Sequence, residues 1–333
     1  MKATAGVEER TEGAAAARVA VVGVGVVGAS WASAFARAGF DVAVHDPDPA
    51  AVDRALGFVR DSARDLEALG LAPPGEADRA SARVRSAASL EDALDGAGYV
   101  QESAPERLEI KKELYRRLDA LAAPDTILAS SSSGIPASRF TADLEGRGRC
   151  LIVHPINPTH LIPLIEIVPS PWTDPAVVDR TSALMETIGQ TPIRLNSEID
   201  GFVANRLQSA VLAEAFRLVE DGVCSTRDVD LAITRGLGRR WFFVGPFETI
   251  DLNAKDGVRG YCERLGPMYH ALAKQQADPR AWSEALVAKV EAELRARTPR
   301  SELADRMAWR DRCLARLAVW RAEDWAPKDE TPR

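Results

Sequence analysis

The 333-residue chain carries 42 Lys and Arg against 49 Asp and Glu, a net charge of −7, with 46% hydrophobic and 27% charged residues. That length exceeds one ordinary compact core and implies two domains, while the acidic balance argues against a nucleic-acid binder, which needs a basic face for phosphates. No apolar run approaches the roughly 18 residues of a membrane span, and four scattered cysteines (Cys150, Cys224, Cys262, Cys313) without metal-ligand spacing read as reduced thiols of a cytoplasmic protein that holds no metal.

Residues 1–16 include Glu8, Glu9, Arg10 and Glu12 and lack an apolar h-region, so they read as a disordered extension rather than a signal peptide. Arg18 to Val22 is a short β-branched run, a buried strand by type. It leads directly into Gly23-Val24-Gly25-Val26-Val27-Gly28, an Ala-rich helix over 29–38 stopped by Gly39, and a second strand over 41–45 ending at Asp46. Strand, GxGxxG, helix, strand and acid within about 30 residues is the context that a dinucleotide fingerprint requires. Gly23 permits the tight turn, Gly25 lets the backbone approach a pyrophosphate, and Gly28 lets helix and strand pack closely. Asp46 accepts hydrogen bonds from ribose hydroxyls and repels a 2′-phosphate, which favours NAD over NADP.

An amphipathic helix over 50–69 ends at Pro73-Pro74-Gly75, and a weak strand at Val84 and a helix over 90–94 follow. Next come a strand over 99–101, a strand-end loop over 102–105, and a helix over 106–121 with Pro105 at its first turn. The strand over 126–129 runs into Ser130-Ser131-Ser132-Ser133-Gly134, a row of small hydroxyls at the strand ends where open α/β sheets bind ligands. Two further apolar runs carry polar residues. His154 follows Leu151-Ile152-Val153, and Glu166 lies within Leu164–Val168; a short Pro-rich connection joins the two strands. A helix over 175–189 and a strand over 191–195 close the α/β half.

After 197–201 strand signals largely disappear. The chain thus divides into an α/β domain over 17–198, an all-helical domain over 199–326, and a polar tail over 327–333. Helices are expected over 202–219, from a capping box at Ser225–Asp228, and over 247–265, 281–297 and 301–325. Gly236, Gly238, Gly245 and Pro246 mark a looped stretch holding Arg239-Arg240-Trp241-Phe242-Phe243.

Oxidising a secondary alcohol needs a base for the hydroxyl proton while hydride leaves carbon. A neutral histidine suits that role, and a carboxylate on its other nitrogen fixes the tautomer. His154 and Glu166 have those chemistries on neighbouring strands, and Ser133 and Asn205 offer groups for the substrate oxygen. Ser132-Ser133, His154-x-x-Asn157-Pro158, Glu166 and Gly201-Phe202-Val203-x-Asn205-Arg206 resemble the L-3-hydroxyacyl-CoA dehydrogenase superfamily. Gln101-Glu102-Ser103-x-Pro105-Glu106, Leu218-Val219-Glu220-Asp221-Gly222, Gly236-Leu237-Gly238 and Trp309-Arg310-Asp311 are similar to its lambda-crystallin / L-gulonate 3-dehydrogenase branch. Where the family usually has Asn or Thr before the serine, this chain has Ser131 and Ser132.

The resemblance implies a Rossmann-type NAD-binding domain followed by a helical domain that forms a homodimer. It implies His154 as general base, Glu166 as its orienting partner, and Ser133 and Asn205 at the reacting oxygen. Gly23, Gly25, Gly28 and Asp46 would bind NAD, with Glu106 and Lys111 near the ribose–nicotinamide end. It further implies a small anionic L-3-hydroxy acid, L-gulonate being the type substrate, with Arg240 as a carboxylate clamp. A 3-hydroxyacyl-CoA or carnitine dehydrogenase stays open, as does a non-catalytic crystallin-like role. In Arg60-Asp61-Ser62-Ala63-Arg64-Asp65-Leu66-Glu67 two arginines are offset by three acids, so no cationic patch for a CoA thioester is evident. His160, in the loop between the two strands, reads as a solvated histidine.

Overall fold

The computed structural model describes residues 18–324; the extension expected over 1–16 and the tail over 327–333 lie outside them. Among the described residues the chain forms two compact units, one up to Val203 that also takes in the chain from Ala308 onward, the other Ala204–Met307.

The first unit is built on one eight-stranded sheet. Its strands are β1 (Arg18–Val22), β2 (Asp41–His45), β3 (Val84–Ser86), β4 (Ala97–Glu102), β5 (Ile127–Ser130), β6 (Cys150–Pro155), β7 (Leu164–Pro169) and β8 (Thr191–Arg194). The order is 3-2-1-4-5-6-7-8, parallel throughout except for the antiparallel β6–β7 pair. The first six strands follow the doubly wound dinucleotide-binding order. Because parallel strands are covered on both faces, successive residues serve different cores. Val19 and Val21 pack on one side with Trp31, Phe35 and Val59, while Ala20 and Val22 pack on the other with Leu90, Tyr115 and Leu128.

Helices α1 (Val26–Arg37), α2 (Pro49–Ala68), α3 (Glu76–Ala82), α4 (Leu90–Leu94), α5 (Leu108–Leu121), α6 (Ser138–Thr141) and α7 (Pro175–Thr187) connect the strands. The short α3, behind the left-handed Gly75, is too brief to show a helical period in the sequence and is an addition to the elements expected there. Helix α5 starts two residues later than expected. Arg107 is extended, and the Glu106 carboxylate before it accepts from Gly134 N and Ile135 N instead of entering a helix.

The second unit is helical: α8 (Ala204–Glu220), α9 (Thr226–Leu231), α10 (Gly238–Trp241), α11 (Pro246–Leu252), α12 (Gly257–Gln275) and α13 (Glu284–Arg297), with α14 (Leu303–Asp324) starting in it. The Ser225–Asp228 capping box opens α9 as the sequence implies. Two expectations fail here. The stretch expected to be looped is helical through Trp241, by way of a wide π turn at Ala232–Leu237. Gly238 serves close packing instead: a Cβ there would stand 2.9 Å from the Ile233 carbonyl. The helix expected over 247–265 breaks at 253–256, where Asp251 Oδ1 accepts from Val258 N at 2.7 Å and Gly257 takes a positive φ.

One buried ion pair stands at the carboxyl ends of β4 and β5. Lys111 of α5 is 1% exposed, and its Nζ lies 3.0 Å from both oxygens of the fully buried Glu102. Removing one partner of such a pair leaves an uncompensated buried charge, at about 3–5 kcal/mol. Lys111→Met is therefore expected to lower unfolding stability by that amount in denaturant titration. The double variant Lys111→Met/Glu102→Gln is expected to recover at least half of the loss, whereas a Lys111→Met protein as stable as wild type would contradict the ion-pair account.

Candidate active site

His154 and Glu166 are direct partners in the β6–β7 ladder. Residues opposite each other in an antiparallel pair project their side chains to the same face. The short connection between the strands thus turns a spacing of twelve residues into contact. His154 Nδ1 lies 2.7 Å from Glu166 Oε2, with the imidazole 4% exposed and the carboxylate fully buried. The other carboxylate oxygen, Oε1, accepts from Val203 N at 2.8 Å. Phe202, at φ 49°, presents its buried ring 5.4 Å from the imidazole. A carboxylate accepts only, so Nδ1 carries the proton in this pair and Nε2 carries the lone pair.

The serine row divides its labour. Ser130 is buried and donates to Glu102 Oε2 at 2.5 Å. Ser131 meets Trp31, Gln101 and Ser103. Ser132 donates to Glu106 Oε1 at 2.5 Å, and the same oxygen accepts from Gly134 N and Ile135 N. The exposed Ser133 therefore follows a pinned neighbour and precedes an amide that is itself bound. Lys111 Nζ, 3.7 Å from Glu106 Oε2, joins that carboxylate to the buried Glu102. Glu102 belongs to the end of β4 and not to the loop expected there, and it is a polar group of the crevice that sequence reasoning misses. Its one sequence signal is an acid just after the apolar run Tyr99-Val100.

The loop after β1 fits a dinucleotide. Gly23 has φ +84°, and a Cβ there would come within 2.6 Å of Ala104 N. At Gly28 a Cβ would stand 2.0 Å from the Gly23 carbonyl oxygen. By contrast, a Cβ at Gly25 meets no protein atom within 4 Å, which leaves open space over the first turn of α1 for phosphates. Asp46 Oδ2 accepts from Val24 N and Oδ1 from Asp48 N, both at 2.9 Å, which fixes the carboxylate at the end of β2 with a second lone pair on each oxygen for a ribose.

Asn205 stands in the first turn of α8, and Arg240 lies in α10 within the second unit. Arg240 lines a cavity of about 390 Å³ with Arg239, Phe243, Thr249 and Asn253. His160 is not the solvated residue that its loop suggests. It is half-buried, stands edge-on to Phe58 at 5.2 Å, and burial pulls its pKa down to about 4. Among the described residues no group of three or more His, Cys, Asp or Glu could hold a metal ion, and no helix is long and apolar enough to cross a membrane.

Comparison with known proteins identifies the two domains. Residues 18–199 match the 3-hydroxyacyl-CoA dehydrogenase NAD-binding domain, and residues 201–299 match the C-terminal domain of the same enzymes. The protein is an NAD-dependent oxidoreductase with a Rossmann-type sheet followed by a helical domain. Specifically, the chain belongs to the 3-hydroxyacyl-CoA dehydrogenase family. It is 46% identical over 304 residues to a lambda-crystallin homolog of Bos taurus, covering 90% of this chain and 94% of the relative. It is 37% identical to an L-carnitine dehydrogenase of Streptomyces griseus, covering 93% and 91% respectively. Among solved structures it resembles 5-formyl-3-hydroxy-2-methylpyridine 4-carboxylic acid 5-dehydrogenase, an NAD+-dependent dismutase, with a TM-score of 0.78 and 30% identity over 92% of this chain and 97% of that one.

The second and third glycines of the loop make different demands. Gly28→Ala forces a Cβ into the Gly23 carbonyl and is expected to cost about 2–4 kcal/mol of stability. Gly25→Ala meets nothing in the protein and is expected to melt at the wild-type temperature while binding NAD at least tenfold more weakly by calorimetric titration. Equal NAD affinity in Gly25→Ala would place the phosphates elsewhere.

Proposed function

We propose that the protein oxidises the 3-hydroxyl of a small L-3-hydroxy acid, L-gulonate in type, to the 3-oxo acid, with His154 as general base oriented by Glu166. The 2.7 Å contact between His154 Nδ1 and Glu166 Oε2 carries this reading. The carboxylate holds the Nδ1 proton, so Nε2 is the atom that takes the hydroxyl proton. The same carboxylate, already buried and negative, stabilises the imidazolium that results. Bound NAD supplies the hydride acceptor. We assign Ser133 and Asn205 to the reacting oxygen. Gly23, Gly25, Gly28 and Asp46 are assigned to the dinucleotide, with Glu106 and Lys111 at its nicotinamide-ribose end.

Charge selects the substrate class. A CoA thioester brings several phosphates, yet on α2 Arg60 and Arg64 both lean on Asp61, at 3.5 and 3.8 Å. Arg239 and Arg240 border a largely apolar cavity in the second unit, and we assign Arg240 to the carboxylate of a small acid. L-Carnitine is the second reading, favoured by the carnitine dehydrogenase relatives and by the exposed Trp241 and Phe243. A purely structural, crystallin-like role would not require the His154–Glu166 pair, which is intact.

We further assign the protein to the reducing cytoplasm, in keeping with its four free cysteines. A homodimer through the helical unit would cover apolar side chains such as Phe247, Leu252, Trp282 and Met307, exposed by 80, 69, 49 and 52%.

The test is NADH formation with NAD and a panel of L-gulonate, L-3-hydroxybutyrate, L-carnitine and 3-hydroxybutyryl-CoA, run on wild type and His154→Ala. L-Gulonate-type acids are expected to react in wild type, and His154→Ala to lose roughly a hundredfold or more in turnover. Reaction of the thioester alone overturns the substrate, and full turnover of His154→Ala overturns the base.

A further inference from the structure

We propose that Ser103 is a further cofactor-binding residue, whose hydroxyl is directed by a part-buried donor chain to donate to a pyrophosphate or nicotinamide-ribose oxygen of NAD. Ser131 Oγ has three partners: Trp31 Nε1 at 3.1 Å, Gln101 Nε2 at 2.7 Å and Ser103 Oγ at 2.9 Å. An indole nitrogen only donates. The Gln101 amide is oriented by two neighbours. Its Oε1 accepts from Tyr99 OH at 2.7 Å, and its Nε2 also faces the Val153 carbonyl at 3.5 Å. Gln101 therefore also donates to Ser131.

A hydroxyl has two acceptor lone pairs and one proton. Both lone pairs of Ser131 are filled by N–H groups, so its proton goes to Ser103 Oγ. Ser103 is thereby an acceptor toward Ser131, and its own O–H must point elsewhere. No described residue takes that proton: the one other hydrogen bond of Ser103 is from its backbone N–H to the Val22 carbonyl.

Position decides what acceptor it meets. Ser103 follows the last residue of β4, next to the dinucleotide strand β1. Its Cβ lies 3.5 Å from where a Gly28 Cβ would be, and its carbonyl lies 2.8 Å from where a Gly23 Cβ would be. The half-buried side chain thus stands beside the turn at Gly23 and the packing glycine Gly28, at the carboxyl end of the strands and on the opposite side of β1 from Asp46 of β2. Ligand oxygens on the pyrophosphate side are acceptors only, or in the ribose hydroxyls acceptors as well as donors. A fixed donor suits both, and the bond to a phosphate is charge-assisted.

The inference rests on NAD being the cofactor, so wild-type NAD+ binding is measured first by calorimetric titration on the full chain; absence of binding there would indict the cofactor and not Ser103. Ser103→Ala is expected to weaken NAD+ roughly five- to fiftyfold, the range of one hydrogen bond to a polar or charged acceptor. It should leave the melting temperature and the affinity of adenosine, measured by competition, unchanged. NAD+ affinity within twofold of wild type overturns the proposal. An equal loss for adenosine also overturns it, because it would mean a distorted crevice instead of a lost contact.

Discussion

The Glu166 carboxylate is the interaction on which the site depends. It is fully buried, and its two oxygens serve different partners. One holds His154 Nδ1, and the other accepts from Val203 N. A buried carboxylate without partners is costly, and here two directed donors satisfy its oxygens and fix it in place. It therefore fixes the tautomer and orientation of the imidazole. It also fastens Val203, at the end of the first unit's main stretch, to β7. The antiparallel register of β6 and β7, the single reversal in an otherwise parallel sheet, exists in the same place. Without that reversal His154 and Glu166 would not be ladder partners.

Around this pair the crevice is lined by polar groups that are satisfied pairwise before any ligand arrives. Glu102 binds Lys111 and Ser130, Glu106 binds Ser132 and two amides, and Ser131 gathers Trp31, Gln101 and Ser103. Such preorganisation lets fixed dipoles replace the reorganisation that water would require. It also leaves few choices for the groups that face outward. Ser133 is exposed beside the pinned Ser132, and the Ser103 proton is forced away from Ser131.

Much of this is legible in the sequence, for reasons that differ by element. The β1–α1–β2 unit is readable because glycine spacing, β-branched strands and a terminal acid are each demanded locally. His154 and Glu166 are readable because polar residues in apolar strands are conspicuous. The helical unit is less readable. The chain 232–241 carries a glycine, Gly238, that serves close packing against a π turn, and composition alone cannot separate that use from a loop. The split between α11 and α12 rests on one side chain, Asp251, reaching seven residues ahead. Glu102 and Lys111 do not announce themselves as a pair because their contact depends on the β4–α5 turn. Likewise the burial of His160 against Phe58 comes from a helix about a hundred residues earlier in the chain, out of reach of any local signal.

The central claim is that a charged Glu166 makes His154 the base. Glu166→Gln separates charge from shape, because the amide oxygen still accepts from Val203 N. Turnover and NAD+ affinity of this variant, measured on the same preparation, test the claim most directly. The account predicts a fall in turnover of about a hundredfold or more with NAD+ affinity within threefold of wild type. Turnover within threefold of wild type would contradict it.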